Sequence, residues 1–474
     1  MNSSTSLQAS AATSSSADTA HAAPLSEQDF PSPPVTSPPG PTGGRYARLP
    51  LLAGKGFIPL GLFARLPLAM LTVGALTLVT AVTGSYAVGG AAAGAVGIGS
   101  ALGAPVLGAW ADRLGQRPVL LLAALFNTAA VVALILTAYL VPSGQDLAEA
   151  VPVLAAAFVA GASCPQVGPL ARVRWMALTA RGSKAGNPQD LDAALSYEST
   201  ADELTFVLGP ALVGILASLI APWLPLALAA ALTITLVPAF AVHRTHRAVP
   251  LSVRRRRDAP TAAGSGAVGT TADSPAAGLR GTGMAAVALP VLAMVCMGTF
   301  FGSTQTGLSS FSASFATAEI AGLLYAVMGL SSAAAALSVA YWPQRFTLSA
   351  RWMVSAVLMA GLAVLLLLPA SALPMVLVLL VLGLPVGPLM VTVFAIGGVM
   401  APAGRLGTVM TALASGIVAG TALGSSIAGQ LAQHQGYSAA FVVPVCAAAA
   451  LFLLGAVAAV VIRQHRKATP AAAS

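Results

Sequence analysis

The chain has 474 residues, of which 57% are hydrophobic and only 8% are charged. Its mean hydropathy is +0.85. Soluble globular proteins have roughly 25% charged residues, so this composition excludes an ordinary soluble enzyme or binding domain and indicates a membrane protein. The formal net charge of +9 does not indicate nucleic-acid binding, because the basic residues lie between apolar runs and form no continuous stripe.

The apolar residues are grouped into twelve runs. A helix that crosses a bilayer needs about 20 consecutive apolar residues, and each run is long enough. The sequence therefore predicts an all-α polytopic membrane protein with two six-helix halves. The predicted spans are roughly 59–83, 86–109, 118–140, 151–172, 200–220, 223–242, 284–307, 317–341, 352–371, 374–398, 407–430 and 438–461.

Lysine and arginine lie almost entirely on one side of this plan. If the N-terminus is cytoplasmic, 22 of the 23 basic residues fall in or beside cytoplasmic segments, with Arg65 as the exception. The opposite connections contain no lysine or arginine, and they carry the acids Asp146, Glu149 and Glu319. The positive-inside rule predicts a multi-pass protein of the inner (plasma) membrane with both termini in the cytoplasm.

The segments outside the spans are polar or basic, and we expect them to be unstructured. The run of four arginines at 254–257 is interpreted as an anchor to anionic lipid. The predicted division is a disordered tail (1–54), an N-terminal half (55–242), a flexible basic linker (243–283), a C-terminal half (284–462) and a cytoplasmic tail (463–474).

Motifs for enzymatic or cofactor chemistry are missing from the sequence. It contains no Walker loop, nucleophile elbow, dinucleotide fingerprint or haem motif. Its three cysteines, Cys164, Cys296 and Cys446, are far apart inside apolar runs and lack metal-ligand spacing. We therefore predict neither an enzyme nor a bound cofactor or metal, and the missing P-loop argues against ATP-driven transport.

A compact charged motif, GAWADRLGQR, follows the second predicted span. Its residues Gly108, Asp112, Arg113, Gly115 and Arg117 match the pattern G-x-x-x-D-R-x-G-x-R. With the twelve spans, this motif resembles the major facilitator superfamily of transporters over residues 55–465. The resemblance implies a conformational switch in which Asp112 pairs with basic groups and with the end of helix 11, which locks one face of the transporter closed. The matching connection of the second half, YWPQRFTLSAR, keeps basic residues but lacks the acid.

Glycines recur at helical spacing in helices 2 and 11. Small residues four apart let two helix backbones approach closely, and in the family that the chain resembles these two helices meet across the halves. Ordinary glycine-rich packing is the alternative interpretation. The predicted packing positions are Gly90, Gly94, Gly99, Gly103, Gly416, Gly420 and Gly424.

Arg65 lies about two turns into helix 1, where a charge costs on the order of 3 kcal/mol unless it has a partner. Candidate partners are Glu198, Asp202 and Glu203 at the start of helix 5. Glu198 and Asp202 share one helix face, and Glu203 points about 100° away. We predict an ion pair of Arg65 with Asp202 or Glu203 that couples protons to the tilt of the halves. The alternative is that Arg65 reaches the cytoplasmic interface and Glu198 simply begins helix 5.

Helix 5 continues with LGPALVG, which contains Gly209, Pro210 and Gly214. This stretch resembles a degraded form of a motif found in proton-coupled exporters, which favours export. The family's arginine in the middle of helix 4 is missing on this reading, since Arg172 is expected at the cytoplasmic end of that helix.

Few polar residues are expected in the central cavity. The candidates for hydrogen bonding to substrate are Asn127, Gln166, Gln305 and Thr392. We therefore predict a monomeric, proton-coupled antiporter that exports a small drug-like or metabolite molecule and prefers apolar or uncharged substrates. The alternatives are a transporter of sugar or another neutral nutrient, and a membrane sensor or scaffold that has kept the fold without transporting.

Overall fold

A computed structural model describes residues 44–140, 149–180, 188–250, 284–314 and 320–468, and within those ranges every regular element is a helix. In this described part of the chain, twelve helices are long and apolar enough to cross a membrane, in agreement with the predicted number. Labelled α1 to α12 in chain order, they are Phe57–Thr83, Val88–Leu114, Gln116–Leu140, Val151–Thr179, Pro188–Leu219, Leu224–Val242, Val287–Ala313, Ala321–Tyr341, Leu348–Leu367, Ala372–Met400, Leu406–Gln435 and Tyr437–Val460.

Two of these helices are interrupted at prolines. The α1 helix pauses at Ala64 and Arg65, just before Pro67, and α4 pauses between Ala162 and Val167, around Pro165. Proline has no N–H to donate and its ring crowds the preceding turn, so a helix tends to break there. Both breaks lie beside the central cavity described below.

Helices α4 and α5 are longer than the sequence predicts. The α4 helix ends at Thr179, not near 172, and α5 begins at Pro188, not near 200. The expected ends fell where charged residues interrupt the apolar run. Because those charges are neutralised inside the protein, the helices continue through them, and Arg172 and Glu198 lie well inside the bundle.

Part of the expected disordered tail is folded. Arg45–Arg48 forms a 3-10 helix and Leu49–Ala53 an α-helix, and Leu49 and Ala53 are buried. The Tyr46 hydroxyl donates to the Leu337 carbonyl on α8. These contacts anchor the segment before α1, and residues 1–43 lie outside the described residues.

The other two polar segments also begin with helix. Arg244–Ala248 forms a 3-10 helix directly after α6, and the last helix continues to Ala468. The arginine run at 254–257, like the rest of the linker from 251 to 283, lies outside the described residues. So do residues 469–474.

The helices pack mainly within each six-helix half. In the first half α2 packs on α1 and α4, and α3 packs on α6; in the second half α7 packs on α11, and α8 on α10. The most extensive packing between the halves is that of α2 with α11 and of α5 with α8. One end of the bundle carries the exposed residues Arg113, Arg345 and Arg405, and we call it the basic end.

Candidate functional site

A cavity lies between the two halves, lined from both sides. The first half contributes residues from α1, α2, α4 and α5, and the second half contributes residues from α10 and α11. The wall is mostly apolar and includes two aromatic rings. Its main members are Arg65, Ser100, Gln166, Arg172, Asp202, Phe206, Phe394 and Ser415.

A buried ionic network of four side chains lies beside this cavity, and three of them line it, namely Arg65, Arg172 and Asp202. Arg65, at the break in α1, bonds to Glu198 at 2.6 Å and to Asp202 at 2.7 Å. The second carboxylate oxygen of Asp202 accepts from Arg172 at 2.7 Å. With two guanidiniums and two carboxylates, the four formal charges cancel, which allows the network to remain buried.

Further contacts orient the network. The Arg65 Nε donates to the Gly61 carbonyl at 2.9 Å, and the Trp175 indole donates to Glu198 at 2.8 Å. The structure thus brings Arg65 together with Asp202, one of the two partners that the sequence analysis predicted. The alternative, that Arg65 reaches the cytoplasmic interface and Glu198 begins helix 5, is wrong. Arg65 is 4% exposed, and Glu198 lies three turns inside α5.

Glu203 does not join this network. As its position on the helix predicts, it faces another direction, and its carboxylate accepts from the Ser332 hydroxyl on α8 at 2.8 Å. The proposed pair of Arg65 with Glu203 therefore does not form. Among the described residues, the ion pairs of Arg65 are with Glu198 and Asp202.

Arg172 is the main functional candidate that sequence reasoning missed. It was expected at the cytoplasmic end of α4, but its side chain is 1% exposed and faces the cavity. Its guanidinium lies 3.8 Å from the ring centroid of Phe394, on the opposite half, in cation–π geometry. Its Nε finds no hydrogen-bond partner among the residues that the structure describes. Arg172 therefore links the ionic network to the second half.

The motif residue Asp112 closes the basic end. Its carboxylate accepts from the backbone N–H of Gly407 at 2.8 Å and of Thr408 at 2.7 Å, and from the Thr408 hydroxyl at 2.7 Å. These donors form the first turn of α11, where the helix dipole also favours a negative charge. Asp112 thus bridges the two halves through charge-assisted hydrogen bonds.

The other motif residues have separate structural roles. A Cβ at Gly108 would collide with Thr411 and with the Gly407 carbonyl, so glycine permits the close crossing of α2 and α11. Gly115 ends α2 with a φ of 95°, a conformation that favours glycine. Arg113 and Arg117 are exposed.

A second ionic bridge joins the halves at the same end. Asp192, in the first turns of α5, accepts from both terminal nitrogens of Arg351 in α9, at 3.1 and 3.2 Å. Gln344 donates to the same carboxylate oxygen at 3.2 Å. The connection of the second half lacks an acid, and Asp192 on α5 of the first half takes its place. The sequence analysis had left Asp192 outside the predicted span of helix 5.

Of the four polar residues predicted for the cavity, only Gln166 lines it. Asn127 donates to the Ala160 carbonyl at 2.6 Å and so joins α3 to α4. Thr392 donates to the Pro388 carbonyl of its own helix. The structure thus places Asn127 and Thr392 outside the cavity wall, because each side chain bonds to a backbone carbonyl instead. Gln305 is exposed on α7, and its role in substrate binding stays a prediction.

Most of the glycine positions pack within a half, not between helices 2 and 11. A Cβ at Gly99 or Gly103 would meet the backbone of α4 at Phe158 or Ala162. A Cβ on the α11 stripe would meet α7, and one at Gly209 would meet Ala69 on α1. Gly90, Gly94 and Gly214 have no such neighbour within 4 Å among the described residues, and Pro210 lies inside α5. The α11 stripe consists of Gly416, Gly420 and Gly424.

Comparisons with known proteins agree with this architecture. No model of a protein family matches the sequence, and no curated protein matches it. Among solved structures, the human organic anion transporter MFSD10 aligns over 87% of this chain and 100% of its own, with 19% identity and a TM-score of 0.62.

Two bacterial transporters align almost as well. A bacterial homologue of the iron transporter ferroportin, in an outward-facing state, covers 85% of this chain and 98% of its own, with 15% identity and a TM-score of 0.59. The E. coli fucose:proton symporter FucP also covers 85% and 98%, with 14% identity and a TM-score of 0.58. The twelve-helix chain therefore has the fold of the major facilitator superfamily.

Proposed function

We propose that this chain is a secondary active transporter that moves a small molecule across the cell membrane by alternating access, coupled to protons. The observation that carries the proposal is a cavity lined by both halves and closed at the basic end by contacts between them. The moving bodies are the halves 55–242 and 284–462. The proposal puts the basic end in the cytoplasm, because lysine and arginine concentrate there.

The geometry supports a simple cycle. With Asp112 bound to α11 and Asp192 bound to Arg351, the basic end is closed. Breaking both bridges would let the halves tilt and would open the cavity towards that end. Asp202 and Arg172 would respond to the substrate, since they line the cavity and Arg172 also contacts Phe394 of the other half.

The cavity supports a substrate with an apolar body and one ionisable group. Phe206 and Phe394 offer apolar surface, while Asp202 and Arg172 offer charge. A charged substrate group would compete for one partner of the Asp202–Arg172 pair. The sequence analysis predicted an uncharged substrate because it placed Arg172 at the end of its helix. Since Arg172 lines the cavity, we propose an ionisable substrate instead.

The direction of transport and the choice among candidate functions depend on different features of the chain. Export is proposed on the resemblance of the LGPALVG stretch to the exporter motif. The similar structures include an organic anion transporter, an iron transporter homologue and a sugar symporter, so the fold itself selects no substrate. A neutral-nutrient carrier would need more hydrogen-bonding groups than this wall provides. A silent scaffold would have no need for the intact Asp112 bridge.

Inside-out vesicles that carry the protein would test the proposal, with a pH-sensitive dye to report an imposed proton gradient. Lipophilic cations, organic anions, sugars and amino acids would be added separately. We expect one ionisable class to dissipate the gradient with wild-type protein and Asp202→Asn to abolish the response. Lys55→Gln, which changes an exposed residue just before α1, is the control and should respond normally. A response to sugars alone would favour the nutrient carrier, and symport would appear only in right-side-out vesicles.

A further inference from the structure

Glu203 is a buried carboxylate outside the ionic network. Its side chain lies where α5 of the first half packs on α8 of the second half, and the residue is 8% exposed. One carboxylate oxygen accepts the Ser332 hydroxyl at 2.8 Å. No ion pair to Glu203 is found among the described residues. Its negative charge is therefore uncompensated, unlike the charge of the adjacent Asp202.

Within the described part of the chain, the groups around Glu203 offer no cation. On α8, a Cβ at Gly329 would lie 3.9 Å from a carboxylate oxygen of Glu203, and the titratable neighbour Tyr325 carries no positive charge in either of its forms. On α5, Asp202 is the neighbouring acid, and Arg65 from α1 and Arg172 from α4 bond to Asp202 on the adjacent face. An isolated charge in such a place is costly, and a carboxyl group usually escapes the cost by taking up a proton.

Glu203 lies in a tight contact between α5 and α8, so its exposure to water depends on whether the two halves are together or apart. Near it, the Thr200 hydroxyl on α5 donates to the Ala333 carbonyl on α8 at 3.1 Å. A Cβ at Gly329 on α8 would lie 3.1 Å from the Val207 side chain, so the two helices fit closely. Separation of the halves at the basic end would part α5 from α8 and admit water to Glu203.

We propose that Glu203 is the proton-binding site of the transporter. The closed seam between α5 and α8 holds the protonated acid, and opening at the basic end exposes it to water, which removes the proton. Ser332 serves both forms, because a hydroxyl donates to the carboxylate and accepts from the carboxylic acid. Asp202 does not take this role, since protonating it would break bonds to two arginines. The inference rests on the proposed proton coupling and names the residue responsible.

Two measurements without substrate test this proposal. The first is pH-induced infrared difference spectroscopy of the purified protein in lipid, which detects the carbonyl stretch of a protonated carboxyl group. We expect a band that disappears in Glu203→Gln, persists in Asp202→Asn and shifts in frequency in Ser332→Ala. Persistence of the band in Glu203→Gln, or its loss in Asp202→Asn alone, would overturn the assignment. Should Glu203→Gln fail to fold, an unshifted band in Ser332→Ala would overturn it as well.

The second measurement follows opening of the basic end with spin labels. Leu114→Cys and Arg345→Cys are both exposed and lie on opposite halves, in a background in which Cys164, Cys296 and Cys446 are replaced by alanine. We expect the distance distribution to shift with pH in wild type and to be fixed in Glu203→Gln. A shift retained in Glu203→Gln overturns the assignment alone. A wild-type distribution that ignores pH, with no infrared band, overturns the proposed proton coupling too.

Discussion

Asp192 on α5 and Arg351 on α9 form a buried ion pair across the two halves, with the Arg351 side chain 3% exposed. The bridge from Asp112 to α11 has the same arrangement with the charges exchanged, because there the group beside the connection is an acid and here it is Arg351. In each case a group beside a connection of one half binds the start of a helix in the other half. The closed basic end is therefore held at two pseudo-symmetric points.

Replacing Asp192 by asparagine should favour opening of the basic end. Arg351 would lose its carboxylate while still buried, at a cost of about 2 kcal/mol to the closed state, which is roughly a thirtyfold change in the equilibrium. Spin labels across the basic end would report the shift. Exposed Arg117→Gln is the control, and the exchange Asp192→Arg with Arg351→Asp should restore closure. Unchanged distances in Asp192→Asn would refute the role of this bridge.

Asp112→Asn should weaken the other bridge. Asparagine keeps one carbonyl oxygen, but its amide group cannot accept from the N–H groups of α11. We expect a loss of about 1–2 kcal/mol from the closed state. Met176→Cys lies in a recess at the basic end beside Asp112, and its maleimide labelling should accelerate about tenfold. Arg113→Gln, an exposed motif neighbour, should label at the wild-type rate; equal acceleration there would mean that the motif acts through charge alone.

Composition and motif predicted the fold well, because twelve apolar runs of the right length leave few alternatives. The placement of Asp112 followed from its motif and was also predictable. The roles of Arg172 and Asp192 were not, because both lie where charge lowers hydropathy and hides the true helix ends. A single sequence does not show that such charges are neutralised by residues far away in the chain.

Contacts between helices were the least predictable feature. The α11 glycines have the right spacing for close packing, but periodicity does not say which neighbour they face, and the structure turns them towards α7. The same holds for Glu203. Its angle from Asp202 around helix 5 was predictable, but Ser332 as its hydrogen-bond partner was not. Packing between distant segments decides both.

The glycine contacts predict a contrast within one helix. Gly103→Ala would place a methyl group against the Ala162 backbone of α4, and such overpacking typically costs about 1–3 kcal/mol. Gly94→Ala on the same helix meets open space and should be neutral or slightly stabilising, because alanine favours helix by about 1 kcal/mol. Thermal unfolding in detergent, followed by tryptophan fluorescence, would compare them. Equal melting temperatures would show that α2 and α4 are not tightly packed.

Removing Arg65 should destabilise the protein more than removing any exposed basic residue. Arg65→Leu leaves Glu198 buried without a cation, whereas Asp202 keeps Arg172. Breaking a buried ion pair from one side typically costs about 3–5 kcal/mol. Lys55→Leu, which removes an exposed charge just before α1, is the matched control and should melt at the wild-type temperature.

The double variant Arg65→Leu with Glu198→Leu separates charge burial from loss of packing. If the uncompensated carboxylate causes the loss, removing it should recover much of the melting temperature, because the two substitutions are coupled through one contact. Simple addition of the two effects would contradict this account. The double variant could also recover stability without recovering transport. Because the hydrophobic pair keeps the fold but leaves Asp202 with a single arginine, that result would show that Arg65 and Glu198 act on the electrostatics of the cavity.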